Sequence, residues 1–274
     1  MISNIPSIRL NNGQLLPMLG LGVYKAVQPG EVESAIFHAL NAGYRAIDTA
    51  SVYKNEEGVG RAIRNCELPR EELFITTKVW NNAQRMCDIE GAFKRSLERL
   101  QLDYIDLYLI HWPVPGCYKE TWKVLNQLYE TGKIKSIGVS NFDTYQLRDL
   151  ASVSDIVPAV NQIEFHPYFY QEELLNYCQE HQIAVQAYAP LARGAYLDDE
   201  ILQVIADRHR KTTAQVGLRW SIQKGVSVIP KSTNPERIKT NCDIFNFSLT
   251  DEEMDIIDGL NRNYRSSSIP EDMR

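Results

Sequence analysis

Short runs of apolar and β-branched residues recur along the chain, and segments of helical periodicity lie between most of them. Runs of this kind predict buried strands, whereas apolar residues at intervals of three and four predict amphipathic helices. The runs occupy residues 19–24, 44–48, 73–78, 104–111, 134–140, 159–164, 184–188 and 226–230. The helical segments occupy residues 31–42, 88–101, 120–131, 144–152, 171–181 and 212–224, with a further one at 198–210.

Alternating strands and helices predict parallel strand pairs joined by right-handed crossovers. The chain of 274 residues divides into eight units of about 34 residues, an ordinary length for a strand–helix unit. We therefore expect an α/β fold, a closed (β/α)8 TIM barrel. The alternative is an open, doubly wound sheet, which normally carries a glycine-rich turn after its first strand. Gly20 and Gly22 begin such a turn, but Lys25 stands where the third glycine belongs, so the barrel is favoured.

Two segments lie outside the repeat. Residues 8–16 contain the Asn12-Gly13 pair, which is typical of a hairpin turn, and we expect this hairpin to plug the N-terminal mouth of the barrel. The tail, residues 261–274, is polar and rich in turn-forming residues. Because no linker or low-complexity segment interrupts the chain, we interpret residues 1–274 as a single domain.

Composition narrows the class of protein. Apolar residues make up 44% and charged residues 23% of the chain, which excludes disorder as the dominant state. A net charge of −6 offers no basic excess for a nucleic acid partner. No run approaches the roughly 20 apolar residues that span a bilayer. The first six residues lack a charged and an apolar signal region, so we expect no membrane association and a cytoplasmic location. The five cysteines are widely spaced and form no C-x-x-C pair, so neither a disulfide framework nor a metal site is expected.

Candidate chemistry is sought at the carboxyl ends of the strands, where barrels carry their functional residues. Asp48 ends the second run and Tyr53 follows it, Lys78 ends the third run, and His111 ends the fourth. A phenol is a weak acid with a pKa near 10, and a nearby ammonium lowers that pKa. A carboxylate would hold the lysine, and a histidine would orient a carbonyl group or pass on a proton. The four residues together predict a general-acid site for a developing alkoxide.

Three segments in order along the chain resemble the signatures of the aldo-keto reductase family. They are residues 43–50 with Glu56 and Gly60, residues 137–142, and residues 229–232 with Arg237. The resemblance extends over nearly the whole chain and implies reversible hydride transfer between NADPH and an aldehyde or ketone, without a metal. It implies the following roles: Tyr53 donates the proton, Lys78 lowers its pKa, Asp48 pairs with Lys78, and His111 orients the carbonyl group.

The same resemblance implies a site for NADPH/NADP⁺. It assigns the nicotinamide carboxamide to Ser140, Asn141 and Gln162, the nicotinamide ring face to Tyr188, the pyrophosphate to Leu191, Arg193 and Gly194, the 2′-phosphate to Lys231, Ser232 and Arg237, and the adenine to Asn241. Two cations and a hydroxyl group suit a dianionic phosphate. Thr240 departs from the family pattern, which usually has Glu before that asparagine.

The substrate pocket is implied by Tyr24, Trp80 and Trp112, together with His111. The short connection after His111 and the short tail resemble the compact microbial members of the family, such as the 2,5-diketogluconate reductases. The resemblance implies reduction of a small dicarbonyl, a keto sugar, a keto ester or an aromatic aldehyde. We expect the protein to act as a monomer on this small-molecule substrate.

Two other functions are compatible with the pattern. The first is a module of the same fold that binds the cofactor without catalysis. The second is a cofactor-free barrel hydrolase in which Asp48 and Glu164 act as paired carboxylates. The second leaves the cluster from Lys231 to Arg237 without a phosphate to bind.

Overall fold

A ring of eight parallel strands forms the centre of the computed structural model, which describes residues 5–273. Residues 1–4, on which the expected lack of a signal segment partly rests, and residue 274 lie outside the described residues. Numbered in chain order, the strands are β1 (Ser7–Arg9) and β2 (Leu15–Pro17), followed by the ring strands β3 (Gly20–Gly22), β4 (Ala46–Asp48), β5 (Phe74–Val79), β6 (Leu107–Ile110), β7 (Ile137–Ser140), β8 (Val160–Glu164), β9 (Ala184–Tyr188) and β10 (Ser227–Val228).

The ring closes, which confirms the predicted TIM barrel and excludes the open sheet. Each ring strand pairs with its neighbour in chain order, from β3 to β10. Parallel bridges from Leu19 to Val228 and from Gly22 to Lys231 then join the last strand to the first. Gly22 permits this approach, because a Cβ atom there would lie 2.9 Å from the carbonyl oxygen of Ile229. The register places Asp48, the last residue of β4, beside Thr76 in the middle of β5.

The predicted hairpin is also present, and it covers the N-terminal mouth of the barrel. Strands β1 and β2 pair antiparallel, and Gly13 has a φ of +87° in the turn between them. The side-chain amide of Asn12 donates hydrogen bonds to the carbonyl oxygen of Lys135, at 2.9 Å, and to Ser136 Oγ, at 3.0 Å. Both partners lie just before β7, so the hairpin is fixed at the end of the barrel where the strands begin.

Eleven helices surround the ring within residues 5–273. They are α1 (Glu31–Asn41), α2 (Glu56–Arg64), α3 (Asn81–Arg85), α4 (Ile89–Leu100), α5 (Tyr118–Glu130), α6 (Thr144–Ala151), α7 (Glu172–Glu180), α8 (Glu200–His209), α9 (Thr213–Gln223), α10 (Pro235–Cys242) and α11 (Asp251–Asp258). All seven predicted helices are present. Helices α2, α3, α10 and α11, of nine residues or fewer, were not among them. No helix of the described chain combines the length and apolarity needed to cross a membrane.

Candidate active site

A cavity of 1040 Å³ opens at the carboxyl ends of the barrel strands. It brings together nearly all residues that the sequence and the family resemblance singled out. Those in its wall are Tyr24, Asp48, Tyr53, Trp80, His111, Trp112, Ser140, Asn141, Gln162, Tyr188, Leu191, Arg193, Gly194, Lys231, Ser232, Arg237 and Asn241. Lys78 and Glu164 do not line it, because both side chains are buried.

Lys78 and Asp48 form a buried ion pair. Lys78 Nζ donates to Asp48 Oδ1 at 2.6 Å and to the carbonyl oxygen of Thr49 at 2.8 Å. The second carboxylate oxygen, Asp48 Oδ2, accepts a hydrogen bond from Gln162 Nε2 at 2.7 Å. Burial raises the pKa of Asp48 and lowers the pKa of Lys78, and the contact between the two groups opposes both shifts. The pair therefore holds its charges through mutual contact although both side chains are buried.

Tyr53 ends a short 3-10 helix, Ser51–Tyr53, at the rim of the cavity. Its ring centre lies 5.2 Å from Lys78 Nζ and 5.7 Å from the ring centre of His111. The sequence led us to expect a lowered pKa for this phenol, and that expectation is wrong for this structure. Burial raises the pKa of Tyr53 well above its usual value, and the charge of Asp48 raises it further by a smaller amount. Because its pKa is raised, the phenol is protonated at neutral pH.

His111 faces the cavity between Tyr53 and Trp80, and its ring centre lies 4.9 Å from that of Trp80. Its Nδ1 atom is buried and makes no hydrogen bond to the described protein. Burial, and to a smaller extent the charge of Lys78, lowers the pKa of His111 well below its usual value. The imidazole is therefore neutral at pH 7 and can donate a single hydrogen bond.

The neutral state of His111 predicts a pH dependence of stability. The unfolded chain protonates this histidine near pH 6.5, whereas the folded protein resists protonation. The free energy of unfolding should therefore fall as the pH drops from about 6.5 to 5, with His111 contributing up to about 1.4 kcal/mol per pH unit. In His111→Gln this contribution is lost. Urea unfolding of both proteins across this range measures it, and parallel curves would contradict a neutral His111.

The residues assigned to the nicotinamide form one hydrogen-bonded group. Tyr188 donates its hydroxyl proton to Asn141 Oδ1 at 2.7 Å, and Asn141 Nδ2 donates to the carbonyl oxygen of His111 at 3.0 Å. Ser140 Oγ donates to the carbonyl oxygen of Gln162 at 2.8 Å. Asn141 has a φ of +66°, a left-handed conformation that asparagine tolerates better than most residues. The carboxyl ends of β7, β8 and β9 are thereby fixed relative to one another.

Another part of the wall carries two cations that are unpaired in the described chain. Lys231 and Arg237 are exposed side chains that line the cavity, and neither forms an ion pair with any residue in the described range. Between them, Asn234 caps α10 by accepting a hydrogen bond from the backbone N–H of Arg237 at 3.0 Å. Glu236, which sequence reasoning did not single out, also lines this wall. Thr240 stands beside Asn241 in the same wall, at the position that departs from the family pattern.

The tail contributes residues that sequence reasoning missed. Ser267, Ser268 and Pro270 line the cavity. Glu164, at the end of β8, accepts hydrogen bonds from the backbone N–H groups of Ser266, at 2.6 Å, and Ser267, at 3.2 Å. Polar tail residues carry no periodic signal, so nothing in the sequence indicated this position.

The contacts of Glu164 argue against the hydrolase alternative. Its carboxylate is buried, holds the tail and contacts His166 Nε2 at 3.2 Å, and within the described chain it is not part of the cavity wall. Glu164 is therefore not placed to act with Asp48 as a pair of carboxylates in the cavity wall. Among residues 5–273, no group of three or more His, Cys, Asp or Glu side chains is placed to hold a metal ion.

Comparison with known proteins agrees with the resemblance seen in the sequence. The profile of the Aldo/keto reductase family matches residues 18–262. The glyoxal reductase of Bacillus subtilis (strain 168) is 50% identical over 267 residues, which cover 97% of this chain and 97% of that protein. The methylglyoxal reductase DkgA of Escherichia coli (strain K12) is 44% identical over 274 residues, which cover 98% of each chain.

Solved structures share the fold as well. The crystal structure of a Bombyx mori aldo-keto reductase in complex with NADP superimposes with a TM-score of 0.90 at 41% identity. The match covers 98% of this chain and 96% of that one.

Proposed function

This chain belongs to the aldo/keto reductase family and is an oxidoreductase acting on carbonyl compounds; on this basis we propose that it reduces small dicarbonyl compounds with NADPH, with Tyr53 as the proton donor. One observation carries the proposal. A single cavity combines Tyr53 and His111 with the exposed cations Lys231 and Arg237 in one wall. Such a wall suits a carbonyl group at one end and a phosphate at the other.

The chain's own residues fit NADPH. The amide and hydroxyl side chains of Ser140, Asn141 and Gln162 suit a neutral carboxamide, which both donates and accepts hydrogen bonds. Tyr188 is held by Asn141 and offers an aromatic face. Lys231 and Arg237, unpaired in the described chain, suit the 2′-phosphate. The Bombyx mori relative was crystallised with NADP, which supports the same cofactor here.

Tyr53 is the proposed general acid. When bound, NADPH supplies a hydride to the carbonyl carbon of the substrate. Tyr53 donates its phenolic proton to the carbonyl oxygen as negative charge develops there. Its high pKa keeps this proton in place at neutral pH. Water then returns a proton to the phenolate, so the reaction adds one hydride and one proton to the carbonyl group and yields an alcohol.

Lys78, Asp48 and His111 assist in distinct ways. The Lys78 ammonium, 5.2 Å from the centre of the Tyr53 ring, stabilises the phenolate that remains after proton transfer. Asp48 holds this ammonium at 2.6 Å and keeps it charged although it is buried. Neutral His111 donates a hydrogen bond to the carbonyl oxygen and orients the substrate beside Tyr53.

Small dicarbonyl compounds are the proposed substrate class because two relatives that match nearly the whole chain are named glyoxal and methylglyoxal reductases. The aromatic side chains of Tyr24, Trp80 and Trp112 line the cavity and would pack against the substrate. The proposal takes residues 1–274 as one domain that acts as a cytoplasmic monomer. A main hydrophobic core that runs from Met18 to Leu260 supports the single domain, and light scattering tests the monomer.

An NADPH-oxidation screen tests the proposed function. The substrates are glyoxal, methylglyoxal, a keto sugar, a β-keto ester and an aromatic aldehyde, each measured with NADPH and with NADH. We expect turnover with NADPH, fastest with the dicarbonyl compounds. A protein that changes NADPH fluorescence but oxidises none of it would instead be the non-catalytic binding module.

Arg237 is expected to determine the preference for NADPH over NADH. The two cofactors differ only at the 2′ position, so a residue that contacts only this phosphate can discriminate between them. A hydrogen bond to a charged group contributes about 1.5–3 kcal/mol, so Arg237→Ala should weaken NADPH binding about 10- to 150-fold. NADH binding should be nearly unchanged. Because Arg237 is exposed, the effect should shrink at high salt.

Fluorescence titration with both cofactors measures this effect. The matched control is Lys239→Ala, which removes an exposed cation of the same helix that does not line the cavity. The control should bind both cofactors as the wild type does. Equal weakening of NADH and NADPH in Arg237→Ala would refute the role at the 2′-phosphate.

A further inference from the structure

The segment that follows Tyr53 buries two polar side chains that do not line the cavity. Asn55 is 6% exposed and Glu56 is 1% exposed. Burying a carboxylate is unfavourable unless it is paired and hydrogen-bonded. Lys54, directly before them, has a φ of +57°, so the backbone leaves the short helix of Tyr53 through a left-handed residue. Such a turn persists only where surrounding contacts hold it.

Asn55 ties this segment to the neighbouring part of the rim. Its Nδ2 donates hydrogen bonds to the carbonyl oxygens of Val23, at 2.9 Å, and Ala26, at 3.1 Å. Its Oδ1 accepts a hydrogen bond from Thr49 Oγ1 at 2.7 Å. Both the nitrogen and the oxygen of the side-chain amide are therefore hydrogen-bonded to residues that precede Tyr53 in the chain.

Glu56 ties the same segment to the strand that carries Lys78. Its Oε1 accepts a hydrogen bond from Thr77 Oγ1 at 2.6 Å, and Thr77 precedes Lys78 in β5. Its Oε2 accepts from Arg99 Nε of α4, also at 2.6 Å. Ser51, on the other side of Tyr53, donates from Oγ to the carbonyl oxygen of Lys78 at 3.0 Å. Residues 51–56, the Tyr53 segment, are thus hydrogen-bonded to β5 both before and after the tyrosine.

We propose that Glu56 is a positioning residue, which holds the Tyr53 segment against β5 through Thr77 and so fixes the phenol relative to Lys78. The proposal rests on the function proposed above. Glu56 itself does not contact the substrate space, and it acts through the placement of Tyr53. A shift of about 1 Å in a reacting group can cost about 100-fold in rate, so loosening this attachment should be visible in kcat.

Three variants test the proposal, together with one matched control. Thr77→Val removes the hydroxyl that binds Glu56 and keeps the side-chain shape. Glu56→Ala removes the whole attachment, whereas Glu56→Gln can still hydrogen-bond to both Thr77 and Arg99. The control is Glu253→Ala, which removes another buried carboxylate. Glu253 lies in α11, outside the cavity wall, and is hydrogen-bonded to His209 of α8 at 2.7 Å.

We expect kcat to fall about tenfold in Thr77→Val and about tenfold or more in Glu56→Ala, with an unchanged KM for NADPH. Glu56→Gln should restore kcat to within about threefold of wild type. Glu253→Ala should lower the Tm without lowering kcat. If Thr77→Val and any folded Glu56→Ala protein lose Tm but keep the kcat of the wild type, the role is purely structural and the proposal is overturned.

Hydrogen–deuterium exchange gives a readout that does not depend on activity. Amides of residues 49–56 should exchange faster in Thr77→Val than in wild type or Glu253→Ala. Unchanged exchange there would overturn the proposed attachment. If the wild type oxidises no NADPH, the proposed function fails, and the exchange measurement still decides whether Glu56 holds the Tyr53 segment.

Discussion

Tyr53→Phe is expected to lower kcat by about 10²- to 10⁴-fold, the usual contribution of general acid catalysis. The substitution removes only the hydroxyl group, so the ring keeps its packing against Tyr24, whose ring centre lies 4.9 Å away, and against His111. Because the substitution leaves Lys231 and Arg237 unchanged, NADPH affinity should stay near the wild-type value.

Single-turnover kinetics and fluorescence titration separate these two effects. Tyr24→Phe is the matched control, since it removes a phenolic hydroxyl from the neighbouring ring in the same cavity wall. The control should keep most of its activity. If Tyr53→Phe retained more than about a tenth of the wild-type kcat, general acid catalysis by this phenol would be excluded.

Lys78→Met is expected to lose both activity and stability. Removing one partner of a buried ion pair typically costs about 3–5 kcal/mol, because the other charge stays buried without compensation. Here that charge is Asp48, which would keep only the hydrogen bond from Gln162. Activity should fall as well, because no ammonium would remain to stabilise the Tyr53 phenolate.

The double variant Asp48→Asn with Lys78→Met separates the two losses. Neutralising Asp48 removes the uncompensated charge, so stability measured by urea unfolding should recover by a large part of the loss. Activity should not recover, because the ammonium is still absent. A double variant that regained both stability and kcat would show that Lys78 serves only to compensate Asp48.

The sequence predicted those site residues that lie at the carboxyl ends of the strands. Asp48, Lys78 and His111 could be placed on one rim because the carboxyl ends of parallel strands meet there. The direction of the Tyr53 pKa could not be predicted, because it depends on how deeply the phenol is buried and on Lys78 being engaged by Asp48.

Contacts between segments that are distant in the sequence could not be predicted either. The tail reaches the cavity because Glu164 accepts hydrogen bonds from Ser266 and Ser267, about a hundred residues further along the chain. Glu56 belonged to a recognised signature, but its partner Thr77 lies on strand β5, whereas Glu56 begins helix α2. Local patterns report burial and periodicity, and they do not report which buried polar groups will meet.

The closed ring of strands leaves other chains no ring edge to which they could add a strand. An open sheet presents unpaired backbone groups at its edges, to which a strand of another chain can add. Here β10 pairs with β9 on one side and reaches Leu19 through Val228 on the other, so the eight-stranded ring has no free edge. Within residues 5–273, strands paired on one side only are those of the hairpin, and each has only three residues. Addition of strands from other chains should therefore require the barrel to open first, so the rate of aggregation should follow the rate of unfolding.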